Sequence, residues 1–178
     1  MLKKLVPVLL SVFVLTGCSS FVKVDHFGGL KAFEKAYADP EVPILIGEFG
    51  TLSPNSAGGV NVQIQVLNTS PKTIKYITYW LTAYNRVGDS VPDKITKRST
   101  KRVDYTGPLD PGATNAQKEL YGRNTTTDYW ENIWYNSSIR CATMDKVEIT
   151  YMDNTEIQIR DTAPLLTREG KCRNFRYN

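Results

Sequence analysis

One histidine, His26, stands in a chain of 178 residues. That scarcity removes most histidine chemistry: a serine, threonine or cysteine nucleophile needs a base beside it, and His26 sits next to Gly28-Gly29 in a segment without periodicity. We read it as a bystander. A zinc site needs three or four His, Cys or carboxylate ligands at workable spacing, and no such cluster is written in the chain. No glycine-rich loop opens a helix, so no phosphate cradle is expected. No apolar run reaches the ~20 residues that span a bilayer as a helix. With 22 basic and 18 acidic residues, the chain also lacks the charge excess of a nucleic-acid binder. No cofactor is implied.

What is present begins at the N-terminus. Lys3 and Lys4 precede an apolar run over residues 5–15, interrupted only by Pro7 and Ser11, and the run ends in Leu15-Thr16-Gly17-Cys18-Ser19-Ser20. A positive start and a short apolar core mark a secretory signal. The four residues up to Cys18 read as a lipobox, and the stretch resembles bacterial lipoprotein precursors. The resemblance implies a signal peptide over residues 1–17, lipidation of Cys18 by diacylglycerol, and a mature chain that begins at Cys18 and uses the membrane as its first partner. Ser19 stands where inner-membrane lipoproteins carry aspartate, which implies the outer membrane of the cell envelope.

Removing residues 1–17 leaves 161, a length that suits one domain with a core of its own. Lys3 and Lys4 leave with the signal, and the net charge falls from +4 to +2. Three cysteines are an awkward count in an oxidising compartment. Lipidation occupies Cys18, so Cys141 and Cys172 remain, and we expect them to form a disulfide that ties down the aperiodic tail after Asp161.

Residues 18–41 read as a lipidated tether. Leu30, Phe33 and Tyr37, with Ala36, predict a short amphipathic helix over residues 30–38, ended by Asp39-Pro40. The domain proper is expected over residues 42–178. Ile44 to Phe49 make a short strand; Val60, Val62, Ile64 and Val66 alternate with Asn61, Gln63 and Gln65, one face buried and one wet. Residues 74–85 carry Ile77, Tyr79, Leu81 and Ala83 on one face and Tyr76, Trp80 and Tyr84 on the other, as a central strand would. Residues 95–105, with Lys97, Arg98, Lys101 and Arg102, predict an edge strand. Its cations guard the edge or form a patch for anionic lipid or polysaccharide. A rigid double turn over residues 106–112 and a strand over 115–122, with Ala116 and Leu120 inward, follow.

Asp128 and Glu131 have capping-box spacing, which predicts one helical turn over residues 129–135 with Trp130 and Trp134 on one side. Paired tryptophans either stack on sugar rings, as a binding surface, or plug the end of a sandwich. Val147, Ile149 and Tyr151 then alternate, as do Ile157 and Ile159, and predict a hairpin through Asp153-Asn154-Thr155 with Tyr151 opposite Ile157.

About seven strands with no long helix argue for an all-β, antiparallel β-sandwich preceded by the short N-terminal helix, with an eight-stranded barrel as the alternative. Residues 66–70, 74–84, the turn at 85–89 and the closing hairpin resemble the Ig-like modules of bacterial surface lipoproteins. The implied protein is a non-enzymatic binding or assembly module held at the envelope to meet a protein or glycan partner. The alternative is a lipid-anchored hydrolase that uses a carboxylate pair, although nothing marks out two of the acids.

Overall fold

The computed structural model describes residues 29–117, 125–126 and 129–167, together with Phe27 and Cys172. Its elements are α1 Gly29–Tyr37, β1 Ile44–Thr51, β2 Gly59–Asn68, β3 Ile74–Tyr84, β4 Thr100–Leu109, β5 Ala116–Gln117, β6 Thr125–Thr126, β7 Tyr129–Tyr135, β8 Cys141–Tyr151 and β9 Glu156–Ile159. Seven strands build two antiparallel sheets, β1-β2-β7 and β4-β3-β8-β9, and β5 pairs with β6. The two sheets enclose one apolar core. Residues 1–17, Cys18, His26 and Leu120 lie outside the described residues. No helix among the described residues is long and apolar enough to cross a membrane.

Alternation places the two central strands. Val60, Val62, Ile64 and Val66 of β2 and Ile77, Tyr79, Leu81 and Ala83 of β3 are buried to the last few per cent, because both strands turn the same parity of residue toward the shared core. On the outer face of β3, Trp80 carries the Lys146 ammonium 4.3 Å from its ring centroid. The outer face of β2 is not wet throughout: Gln65 is buried, and β6 lies against β2. In β1, Ile44, Leu45 and Ile46 are all buried, an apolar run on both faces of the strand, and the register shifts after it, between Ile46 and Glu48. A bulge at Gly47 breaks the simple alternation.

Buried polar groups finish what the strands leave open. Asn68, wholly buried, donates its amide to the Lys72 and Leu109 carbonyls, each at 2.9 Å, and accepts from the Ser70 backbone and hydroxyl. Asn115 does the same for β2 beyond the end of β7, accepting from Val66 N at 2.7 Å and donating to Ile64 O at 3.0 Å. Such groups are tolerated inside because every donor has a partner.

Several expectations are corrected. The edge strand spans Thr100–Leu109, not residues 95–105, because Asp93 gathers residues 93–98 into a turn in which Lys97 takes φ 59°. The strand continues through Pro108, which an edge strand tolerates since it needs no outward N–H. Of the four cations, Lys101 is drawn inward to Asp93 at 2.8 Å, exposed Arg102 on the edge strand pairs with Asp104, and Lys97, which donates to Lys94 O, and Arg98 fall in the turn before the strand. Residues 129–135 are strand β7, not a helical turn, since a segment of Tyr, Trp and Ile fits a pleated surface better than one helical turn. The register shift between Val60 and Val62 leaves Asn132 at φ 54° opposite Asn61. The strand expected over 115–122 is represented among the described residues by β5 alone.

The hairpin pairs Ile149 with Ile157 and Val147 with Ile159, two residues away from the expected register. Tyr151 exchanges bonds with Thr155 and Asn154, giving a three-residue loop of Met152, Asp153 and Asn154 in which Asn154 takes φ 62°. An odd loop was required by parity, and this one, of the same length but centred one residue earlier, places Asn154 at a left-handed position that asparagine accepts. In α1, Ala36 is buried but Tyr37 is 56% exposed, so Tyr37 does not belong to the packed face. Phe27 is fully buried in the core, and the packed body therefore starts within the segment read as a tether.

The tail is held by more than the expected bridge. Thr162 Oγ1 donates to Met144 O at 2.6 Å, Leu165 is fully buried, and Leu166 forms a parallel bridge to Ile46. Cys141 and Cys172 are bonded, with Cα atoms 5.4 Å apart and 31 residues of separation. Closing a loop of that length constrains the unfolded chain by roughly 3 to 4 kcal/mol. Because Thr162 and Leu165 hold the tail independently, the Cys141→Ser/Cys172→Ser variant is expected to lose about 3 kcal/mol and remain folded. Urea unfolding of the variant against oxidised wild type measures this, with wild type under dithiothreitol expected to match the variant; a midpoint unchanged from that of the oxidised protein would show that the bridge contributes nothing.

Candidate functional site

The sandwich has two poles. β1 leaves α1 and starts at one pole with Ile44; it ends at the other with Thr51. Three connections meet at that second pole: residues 52–58, 85–99 and 136–140. Hydrogen bonds knit them together. Thr51 Oγ1 donates to Arg140 O at 3.3 Å, Arg140 N to Tyr84 O at 2.9 Å, Asn136 Nδ2 to Pro92 O at 2.8 Å, and Lys94 N to Tyr135 O at 3.0 Å.

Between the first and third connections lies a cleft of about 540 Å³, lined by residues 51–55 and by Ser137, Ile139 and Arg140. Its volume is that of a small-ligand site. Its walls are built. Asn55 Oδ1 accepts from Ala57 N and Gly59 N, and Asn55 Nδ2 donates to Asn132 Oδ1 at 3.0 Å. Gly59 is required for this approach, since a Cβ there would lie 1.9 Å from Asn132 Oδ1. Arg140 Nη1 donates to the carbonyls of Ser137 and Ile139 at 2.7 and 2.8 Å, which clamps the guanidinium to its own loop. Arg140 has no ion-pair partner among the described residues, and the bridged Cys141 follows it directly.

The lining offers hydroxyl, amide and guanidinium groups and contains no carboxylate, imidazole or thiol. It can hydrogen-bond a polar ligand and pair with an anionic one. It supplies no group that takes and returns a proton near neutrality. No three His, Cys, Asp or Glu residues converge as metal ligands among the described residues.

Among the described residues, three carboxylates have their ionisation displaced, each downward. Burial pushes Asp93 up, but hydrogen bonds from Lys101, Thr96 and the Tyr135 backbone outweigh it and hold the group well below the usual range. A hydrogen bond from Lys146 lowers Glu148, and one from Lys72 lowers Asp153. A glycosidase acid needs the opposite shift.

The two tryptophans do not form a stacking platform. Trp134 is fully buried and its Nε1 donates to Ser99 O at 2.8 Å. Trp130 is half-buried, meets the Tyr79 ring edge-on at 6.1 Å, and donates Nε1 to Asp104 O at 3.2 Å. Both indoles thus satisfy carbonyls of the chain in and just before β4, sealing the side between the sheets. The cleft itself was missed in the sequence, where residues 51–59 signal only a loop and nothing links them to Ser137 or Arg140.

No family model, curated protein or solved structure matches the chain.

Proposed function

We propose that this protein is a lipid-anchored lipoprotein of the bacterial cell envelope, in its outer membrane, and that its Ig-like sandwich is a non-enzymatic binding or assembly module. One observation carries the binding reading: the cleft at the pole where β1 ends is lined by hydroxyl and amide groups, a few apolar side chains and a clamped Arg140, with no carboxylate, imidazole or thiol among them. α1 leads into β1 at the opposite pole from the cleft, which leaves the cleft open to a partner. A glycan or a protein segment of the envelope is the partner that such hydroxyls and amides suit.

Ser137→Trp fills the cleft from an exposed position. It is expected to weaken retention on isolated cell-wall glycan, or crosslinking to envelope proteins, by about tenfold or more with thermal unfolding unchanged. Cys18→Ser is expected to move the protein out of the membrane fraction, since one missing anchor removes all of its acyl chains. Undiminished retention by the cleft variant would overturn the assignment of the cleft; soluble saccharide released from the glycan would replace the binding module with the hydrolase.

A further inference from the structure

At the same pole as the cleft, the connection between β3 and β4 carries Val87, 74% exposed, and Ile95, 66% exposed, the two most exposed of the large apolar side chains described. Neither belongs to a loose loop. Asn85 Oδ1 accepts from Val87 N at 3.0 Å and Asp89 N at 2.9 Å, and Gly88 takes φ 88° to close that turn. The second turn is built on buried Asp93, which accepts from Ile95 N, Thr96 N, Thr96 Oγ1, Lys101 Nζ and Tyr135 N. A slack loop would fold an aliphatic side chain back onto the protein. These turns are fixed with theirs outward.

Charge is distributed to match. The ion pairs of the described residues neutralise Lys72, Lys101, Arg102 and Lys146. Arg86, Lys94, Lys97 and Arg98, flanking the two tips, have no ion-pair partner among the described residues, and neither does the nearby Arg140. Apart from Asp93, which Lys101 already neutralises, Asp89 is the one carboxylate in residues 85–98.

We infer that this pole docks onto an anionic lipid surface, with Val87 and Ile95 entering the headgroup layer and Arg86, Lys94 and Arg98 pairing with lipid phosphates. Cations beside an anionic surface and aliphatic groups immersed at its boundary add together. The aliphatic tips select lipid over a soluble polyanion, which offers charge but no apolar medium. The contact does not depend on what fills the cleft. It takes from the proposed anchor only the expectation that the lipid surface is met away from Cys18.

The test uses the full chain, purified with its anchor and reconstituted into phosphatidylcholine vesicles, mixed with a second, labelled population. Labelled vesicles containing phosphatidylglycerol should cluster with the protein-bearing ones and pure phosphatidylcholine vesicles should not, with the effect falling as salt rises. Val87→Asp/Ile95→Asp should weaken clustering by about tenfold or more, and Arg86→Glu/Arg98→Glu by roughly tenfold. Both pairs are exposed, and unchanged thermal unfolding verifies that the variants remain folded. Absence of clustering at low salt would overturn the inference. So would clustering that the charge reversals abolish but the aspartate pair leaves intact, which identifies a polyanion site. If the wild type does not enter phosphatidylcholine vesicles, the anchor proposal fails, and flotation of the same proteins with phosphatidylglycerol vesicles decides the docking by the same outcomes.

Discussion

Trp134→Ala should cost about 4 to 5 kcal/mol, which for a domain of this size lowers the melting temperature by roughly 10 to 15 °C. Two losses combine. The wholly buried indole leaves a cavity beside Val60, its partner in the β2–β7 register, and large-to-small substitutions of aromatics alone cost about 3 to 5 kcal/mol. The Ser99 carbonyl then also loses the donor that reaches it at 2.8 Å, and an orphaned acceptor near the core costs about 1 kcal/mol or more. Total stabilities run near 5 to 15 kcal/mol, so the variant should sit close to the edge of folding. Trp134→Phe keeps most of the volume and isolates the hydrogen bond. Half-buried Trp130→Ala should cost much less. Urea unfolding followed by far-ultraviolet circular dichroism measures all three, and equal losses for Trp130 and Trp134 would contradict the burial difference.

Asp93→Ala should cost about 4 kcal/mol at neutral pH, because removing one partner of a buried pair strands the other. Its carboxylate side chain is 2% exposed and the Lys101 side chain 18%, and five donors converge on the two oxygens. Truncation leaves the Lys101 ammonium unpaired and releases the turn that joins β4 to the end of β7. In Asp93→Ala/Lys101→Met the stranded charge is gone, and part of the loss should be recovered.

The carboxyl titrates lower in the folded protein than its ordinary value of 3.8, so the unfolded chain takes up the proton first as pH falls. The stabilisation by Asp93 is therefore fully present above about pH 5 and shrinks as pH drops below about 4 toward the depressed folded value. The difference in unfolding free energy between wild type and Asp93→Ala should be flat from about pH 5 to 8 and narrow on acidification. A gap that widened instead would mean that the carboxyl enters the core uncharged.

Periodicity was the most legible signal. Val60 to Val66 and Ile77 to Ala83 alternate so regularly that their inward faces needed no tertiary information, because each apolar side chain on one parity gains by burial and each polar one on the other parity loses nothing in water. Segments whose local pattern competes with a partner strand were misread. Asp128 and Glu131 have the spacing of a helix start, yet seven residues of β7 gain more from pairing with β2 and burying Trp134 than one helical turn could return. Residues 95–99 have the composition of a strand, but Asp93 finds Tyr135 N forty-two positions away and turns the chain aside.

Composition and pattern by themselves determined that the chain forms antiparallel strands around one core and that β3 is central, which follows from side-chain parity; the pairing of Cys141 with Cys172 rested also on the lipoprotein resemblance, which sets Cys18 aside. Only the tertiary structure decided that the two tryptophans seal the sandwich, that Lys101 turns inward, and that residues 51–55 and 137–140 enclose a cleft while Val87 and Ile95 stand out beside it. Those outcomes depend on pairs far apart in sequence, such as Trp134 with Ser99 and Thr51 with Arg140. A hydrogen-bond donor carries no mark of which distant acceptor it will meet, and the choice is made when sheet register and loop lengths bring the two together.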